Sequence, residues 1–118
     1  MITLLDEMLI QLKDEDQKGM YFINVDADEF FSYRELYISS LKMLHFLHIA
    51  GIRENNELVF QIGTPKKFII LFWACILGNI IPMPIAIGNG EEKSDRLKKV
   101  WPILNDPFAV FENDIYKL

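Results

Sequence analysis

Few side chains in this sequence stand where their types and spacing could do chemistry. The best local group is Gly63-Thr64-Pro65-Lys66-Lys67, a glycine-containing turn expected to lead from a strand into a helix. Such a turn can present free backbone amides and the positive end of a helix dipole to an anion. Gly63, Thr64 and Lys66 are therefore weak anion-site candidates, and no residue of the chain is assigned to cofactor binding. One short glycine-containing loop is a weak signal, and a plain strand-to-helix turn with two solvated lysines accounts for the same residues. Gly88-Asn89-Gly90 follows an expected strand at its carboxyl end, where open α/β sheets often bind ligands. Glycine and asparagine are also ordinary connector residues.

Metal and nucleophile chemistry finds less. His45 and His48 are three apart on an expected helix and could reach one ion, but no acid or cysteine lies on that turn to complete a site. Two histidines flanking a core stripe is the better account. Asp26, Asp28 and Glu29 lack the further oxygen ligands, at set spacing, that a calcium loop requires, and read as hairpin-turn acids. Cys75 sits inside an apolar run with no basic neighbour in sequence to lower its pKa, so it is expected to be a packed core thiol. No nucleophile–base pair can be drawn. The sequence supplies no catalytic residue and no metal ligand set.

The elements that would position these residues follow from periodicity and capping. Leu4, Leu5, Met8, Leu9 and Leu12 recur at helical spacing, which predicts an amphipathic helix over residues 4–14. Residues 13–19 form a solvated connector. Met20–Val25 and Glu29–Phe31, separated by Asp26-Ala27-Asp28, predict a small β-hairpin. Ser32 followed by Glu35 is a capping box opening a helix from Tyr33 to about Ile49. Its buried face should carry Leu36, Ser40, Met43, Leu44 and Leu47, and Gly51 stands where a left-handed C-terminal residue belongs. A strand over Glu57–Ile62 leads through Pro65 into a helix over Lys66–Leu77, apolar nearly all round and so expected to be buried on more than one side. Ile80–Ile85, a continuous apolar run, reads as a central strand of a parallel sheet. A further helix over Ser94 to about Leu104, shortened or kinked by Pro102, should turn Leu97, Val100, Trp101 and Leu104 inward. Phe108–Phe111 is the last short strand. Short connections and right-handed crossovers then give an α/β fold: a small parallel sheet with helices on both faces, flavodoxin-like, preceded by an N-terminal helix and the hairpin.

This pattern resembles the N-terminal subdomain of the adenylate-forming enzymes, which include acyl-CoA synthetases, fatty acyl-AMP ligases and the adenylation domains of nonribosomal peptide synthetases. Phe31-Ser32-Tyr33-Arg34-Glu35-Leu36 is similar to the family's first core motif, Leu-Thr-Tyr-x-Glu-Leu. Phe72 to Ile85, ending Ile-Ile-Pro-Met-Pro-Ile, resembles its second. That ending is nearest to fatty acyl-AMP ligases and to acyl-activating modules of mixed polyketide–peptide assembly lines. The chain departs from the pattern twice: Asn55-Asn56 replaces a usual Gly-Asp, and Gly78-Asn79 a usual Ala-Gly. Asparagine tolerates the left-handed conformation best after glycine, so both departures keep the backbone requirement.

The resemblance implies a partial domain, with a helix and hairpin over residues 1–32, an α/β core over 33–112 and the start of a continuation over 113–118. It implies an ATP- and Mg-dependent parent enzyme that joins a carboxylate to AMP and passes the acyl group to a carrier-protein or CoA thiol. The family's Ser/Thr/Gly-rich phosphate loop with its lysine, and its later catalytic motifs, do not occur in these 118 residues. The fragment alone should be inactive, with the remainder of the ligase as its partner and a carrier protein as a candidate acceptor. A free-standing, ligase-derived interaction module is the alternative. Faces made for the missing part would lead the isolated chain to self-associate.

Composition narrows the setting. The chain is 51% hydrophobic and 25% charged, with 17 acidic and 12 basic residues giving a formal charge of −5. That balance suits a globular domain and offers no basic block for nucleic acid. The uncharged run Phe68–Ile87 has the length of a membrane span, but Pro82 and Pro84 break it for a helix, so no membrane association is expected. One cysteine, and acids by the sixth residue where a signal peptide would be basic, point to the cytoplasm.

Overall fold

The structure, a computed structural model, describes residues 6, 18–23, 25–85, 99, 101–104 and 107–111. The elements are β1 (Gly19–Phe22), β2 (Glu29–Ser32), α1 (Tyr33–Ile49), β3 (Glu57–Gln61), α2 (Pro65–Gly78), β4 (Ile81–Pro84), a 3-10 turn (Trp101–Ile103) and β5 (Phe108–Phe111). β1 and β2 pair antiparallel, and a separate parallel sheet has the order β4-β3-β5. The α/β fold with its hairpin is as expected. The expected helix over 4–14 and the loop at 88–90 lie outside the described residues, apart from Asp6, which is helical. Of the expected helix over 94–104, Lys99 is helical and Pro102 sits in the 3-10 turn, in keeping with a proline that cannot continue an α-helix.

Local chemistry sets the ends of both helices. α1 begins where the Glu35 amide donates to Ser32 Oγ at 3.0 Å, the hydroxyl half of the capping box. It ends at Gly51, whose φ of +96° lets the Gly51 amide donate to the His48 carbonyl and the Ile52 amide to the Leu47 carbonyl, both at 3.0 Å. Ile52 is buried just beyond, completing a Schellman ending. α2 ends the same way on Asn79, with φ of 53°: the Ile80 amide donates to the Cys75 carbonyl at 2.9 Å, and Ile80 is buried.

Two apolar clusters hold the elements together. The larger joins Leu47 of α1, Ile52, Leu58 and Phe60 of β3, Leu71, Ala74 and Cys75 of α2, and Ile80. The smaller joins Phe31 and Leu36 to Met20, Phe22 and Tyr37 and to Ile69, Ile70 and Trp73 of α2. α2 thus contributes to both clusters, which is why nearly all of its surface is apolar. Gly19 permits the tight hairpin: a Cβ there would lie 2.4 Å from the Phe31 carbonyl oxygen and 2.8 Å from the Phe30 ring. Leu58, Val59, Phe60 and Gln61 are all buried, so both faces of β3 are covered.

That observation corrects the sequence reading of β4. β3 is the central strand and β4 lies at the edge of the described sheet, with Ile81 43% exposed. The prolines explain it. The Ile81 amide donates to the Asn56 carbonyl and the Ile85 amide to the Phe60 carbonyl, so alternation turns positions 82 and 84 away from β3. Pro82 and Pro84 have no amide to offer there, the placement that proline takes on an edge strand.

Ser40 lies on the inner face of α1, fully buried, and its Oγ has no hydrogen-bond partner among the described residues. A buried hydroxyl without a partner costs about 1–3 kcal/mol. Ser40→Ala is therefore expected to hold or raise stability, by up to about 1 kcal/mol, in urea denaturation. A clear loss would mean that the hydroxyl makes a bond.

Candidate functional site

The carboxyl end of β3 runs directly into the anion-site candidates. Gly63 and Thr64 are exposed, and the Thr64 carbonyl accepts from the Phe68 amide at 3.0 Å, closing the first turn of α2. Lys66 does not point into free solvent as an isolated charge. Its Nζ lies 2.7 Å from Glu29 Oε2 and 4.7 Å from the centroid of the Phe31 ring. Both ends of the ion pair are more than a third exposed, so its contribution to stability is small. Its effect is geometric. It ties the hairpin to the start of α2 and sets a carboxylate beside the loop, which weakens the positive field an anion would meet. Nothing local in the sequence signals this pair, since 37 positions separate its members.

The other candidates stay apart. His45 and His48 are both exposed on α1, and no group of three or more His, Cys, Asp or Glu among the described residues could hold a metal ion. Asp26 and Asp28 are exposed, and Glu29 is engaged with Lys66. Cys75 is fully buried in the main cluster, and burial pushes its thiol up to about 12 from 9.0. A raised pKa means that the neutral thiol stabilises the fold below about pH 9, and that this contribution is lost as pH climbs toward 12. At pH 8, alkylation of Cys75 by iodoacetamide is expected to proceed only through unfolding and to be slower by at least about tenfold than in urea. Equal rates would show an open thiol.

A connected polar cluster of the described residues sits at the opposite, amino end of β3 and β4. Asn55 and Asn79 both adopt positive φ, 68° and 53°. The Asn55 amide donates to the Asn79 carbonyl at 2.8 Å. Asn79 Nδ2 donates to Glu54 Oε1 at 3.0 Å and to Asn55 Oδ1 at 3.3 Å. The Arg53 amide donates to Asn56 Oδ1 at 2.7 Å, and its guanidinium caps the His48 and Ile52 carbonyls at the end of α1. This cluster fastens two turns to each other, with every named atom spent on another protein atom. It is a structural corner, far along β3 from the end where ligands bind in such sheets. Among the described residues, no helix is long and apolar enough to cross a membrane.

No family model matches the chain. Solved structures do. McyG A-PCP complexed with phenylalanyl-adenylate is 29% identical with a TM-score of 0.84, over 97% of this chain and 21% of that one. The adenylation domain of a keto acid-selecting NRPS module bound to keto acyl adenylate gives 20% identity and a TM-score of 0.85, over 99% of this chain and 22% of the other. A fatty acid AMP ligase from Legionella pneumophila gives 16% identity and a TM-score of 0.84, over 97% and 20%. The chain spans about a fifth of the length of the structures it matches.

Proposed function

We propose that this chain, which folds as adenylation domains and fatty acyl-AMP ligases do over about a fifth of their length, is the N-terminal scaffold subdomain of an ATP-dependent carboxylate-adenylating ligase. The observation that carries the reading is the match to McyG A-PCP at 29% identity over 97% of the chain. The two sequence motifs support it, because each occupies the structural position its chemistry requires. Phe31–Leu36 closes the hairpin and caps α1. Phe72–Ile85 ends α2 on a left-handed residue and enters β4.

In this reading the parent enzyme joins a carboxylate to AMP with release of pyrophosphate, then passes the acyl group to a carrier-protein or CoA thiol. ATP and Mg serve that enzyme. The described residues do not fit either: they hold no acidic or histidine cluster for a metal, and the lysine nearest the strand end is paired with Glu29. No reaction step is assigned to this chain. Its contribution is a rigid sheet and hairpin on which the rest of the ligase is built. The division into residues 1–32, 33–112 and 113–118 belongs to the same proposal. So do the cytoplasmic setting and a place in a polyketide or peptide assembly line.

The gene itself tests the proposal. Reading on from the codon for Leu118 should reach a Ser/Thr/Gly-rich phosphate loop with a lysine. A stop codon at that point would leave the alternative, a ligase-derived interaction module without catalysis.

A further inference from the structure

α1 is apolar on two opposite sides. Leu36, Ser40 and Leu47 face the clusters and are buried, with Met43 and Leu44 packed beside them. Half a turn away, Ile38, Leu41, Phe46 and Ile49 are 46%, 41%, 63% and 68% exposed. At 100° per residue these four, with Lys42 and His45, fall in one continuous stripe along the helix. After the first turn Lys42 is the only charged residue of α1. A helix that is hydrophobic all round belongs in an interior, and an exposed apolar stripe of this kind marks an interaction site.

We infer that the outer stripe of α1 is an interface, and that its occupant is the polypeptide that completes the ligase. This rests on the proposed function and goes beyond it by saying where the scaffold is joined. The argument for that occupant is length: 97% of this chain superposes on only 21% of McyG A-PCP. The other four-fifths of such a protein must meet this subdomain across some surface, and α1 offers a largely apolar face whose one formal charge is Lys42. The covering surface should be apolar, with a carboxylate opposite Lys42, since a buried ammonium needs a partner. A membrane does not suit the stripe. Interfacial helices flank their apolar face with several Lys and Arg, and this one has Lys42 alone beyond its first turn.

The test places Phe46→Glu with Ile49→Glu in both the 118-residue chain and the complete gene product, and follows thermal unfolding, light scattering and carboxylate-dependent ATP–pyrophosphate exchange. The expected result is no loss of melting temperature in the short chain, where both side chains already meet water. The complete protein should lose several degrees and gain susceptibility to proteolysis between this subdomain and the rest. An unchanged complete protein overturns the interface while leaving the ligase reading intact, provided exchange is present. A short chain that dimerises, and loses the dimer on substitution while the complete protein is indifferent, overturns it in favour of a second copy. A complete protein without exchange overturns the ligase reading by a separate readout.

Discussion

Phe60→Ala is expected to remove about 3–5 kcal/mol of folding stability, a large part of the ~5–15 kcal/mol that a domain of ordinary stability possesses. Phe60 is fully buried at the middle of the central strand. Its ring meets that of Phe68 edge-on, with centroids 5.3 Å apart and an interplanar angle of 60°. Residues of α1, α2 and β3 share its cluster. Truncation loses the transfer free energy of the ring, the aromatic contact and the packing of neighbours that cannot collapse into the space. Collapse is hindered because β3 is pinned on both sides, by β4 and β5. Urea denaturation of the 118-residue chain measures the loss. A change below about 1.5 kcal/mol, the range of swaps that keep volume, would mean that the site relaxes freely and that β3 is not the core strand described here.

Asn79→Val should have the next largest effect, a loss of about 2–3 kcal/mol combining left-handed strain with the broken side-chain bonds. Asn79 stands at φ 53°, where a β-branched residue is a genuine outlier. Valine also forfeits the hydrogen bonds from Nδ2 to Glu54 and Asn55. Those bonds are exposed, so backbone strain is the larger share. Asn79→Gly separates the two causes. Glycine keeps the left-handed turn and loses only the side-chain bonds, so it should cost less than about 1 kcal/mol. If glycine and valine destabilise equally in the same urea assay, the conformational account of this position is wrong.

The parts of the fold that were legible in the sequence are those decided within a few residues. Ser32 and Glu35 are three apart, and the amide of one meets the hydroxyl of the other, so the start of α1 could be read directly. Gly51, Asn55 and Asn79 all take the left-handed conformation for the reason their residue types suggested. β4 lies at the edge of the described sheet although its run is continuously apolar, because proline spacing outweighs hydrophobicity there. Pro82 and Pro84 at a period of two already carry the mark of an edge strand, and that signal was available. The Glu29–Lys66–Phe31 contact was not available, since it forms only after the hairpin folds onto α2. The outer stripe of α1 was hidden for a different reason. The expected core stripe of Leu36, Ser40, Met43, Leu44 and Leu47 accounts for the helix by itself, and only the structure shows that Ile38, Leu41, Phe46 and Ile49 are exposed.

The candidate site was legible in its position and not in its surroundings. The loop at Gly63, Thr64 and Lys66 stands where the sequence put it, at the end of β3. The carboxylate beside it comes from another element and no local pattern announces it. The described residues also form well-fastened turns, at Gly51, at Asn79 and at the Asn55–Asn79 corner, which hold the strands in register.

The most direct test of the scaffold reading is carboxylate-dependent ATP–pyrophosphate exchange, measured side by side on the 118-residue chain and on the complete product of its gene. The account predicts no exchange from the short chain with any carboxylic acid, and exchange from the complete product with at least one fatty, keto or amino acid. Exchange by the short chain, or none by the complete product across all three acid classes, would contradict it.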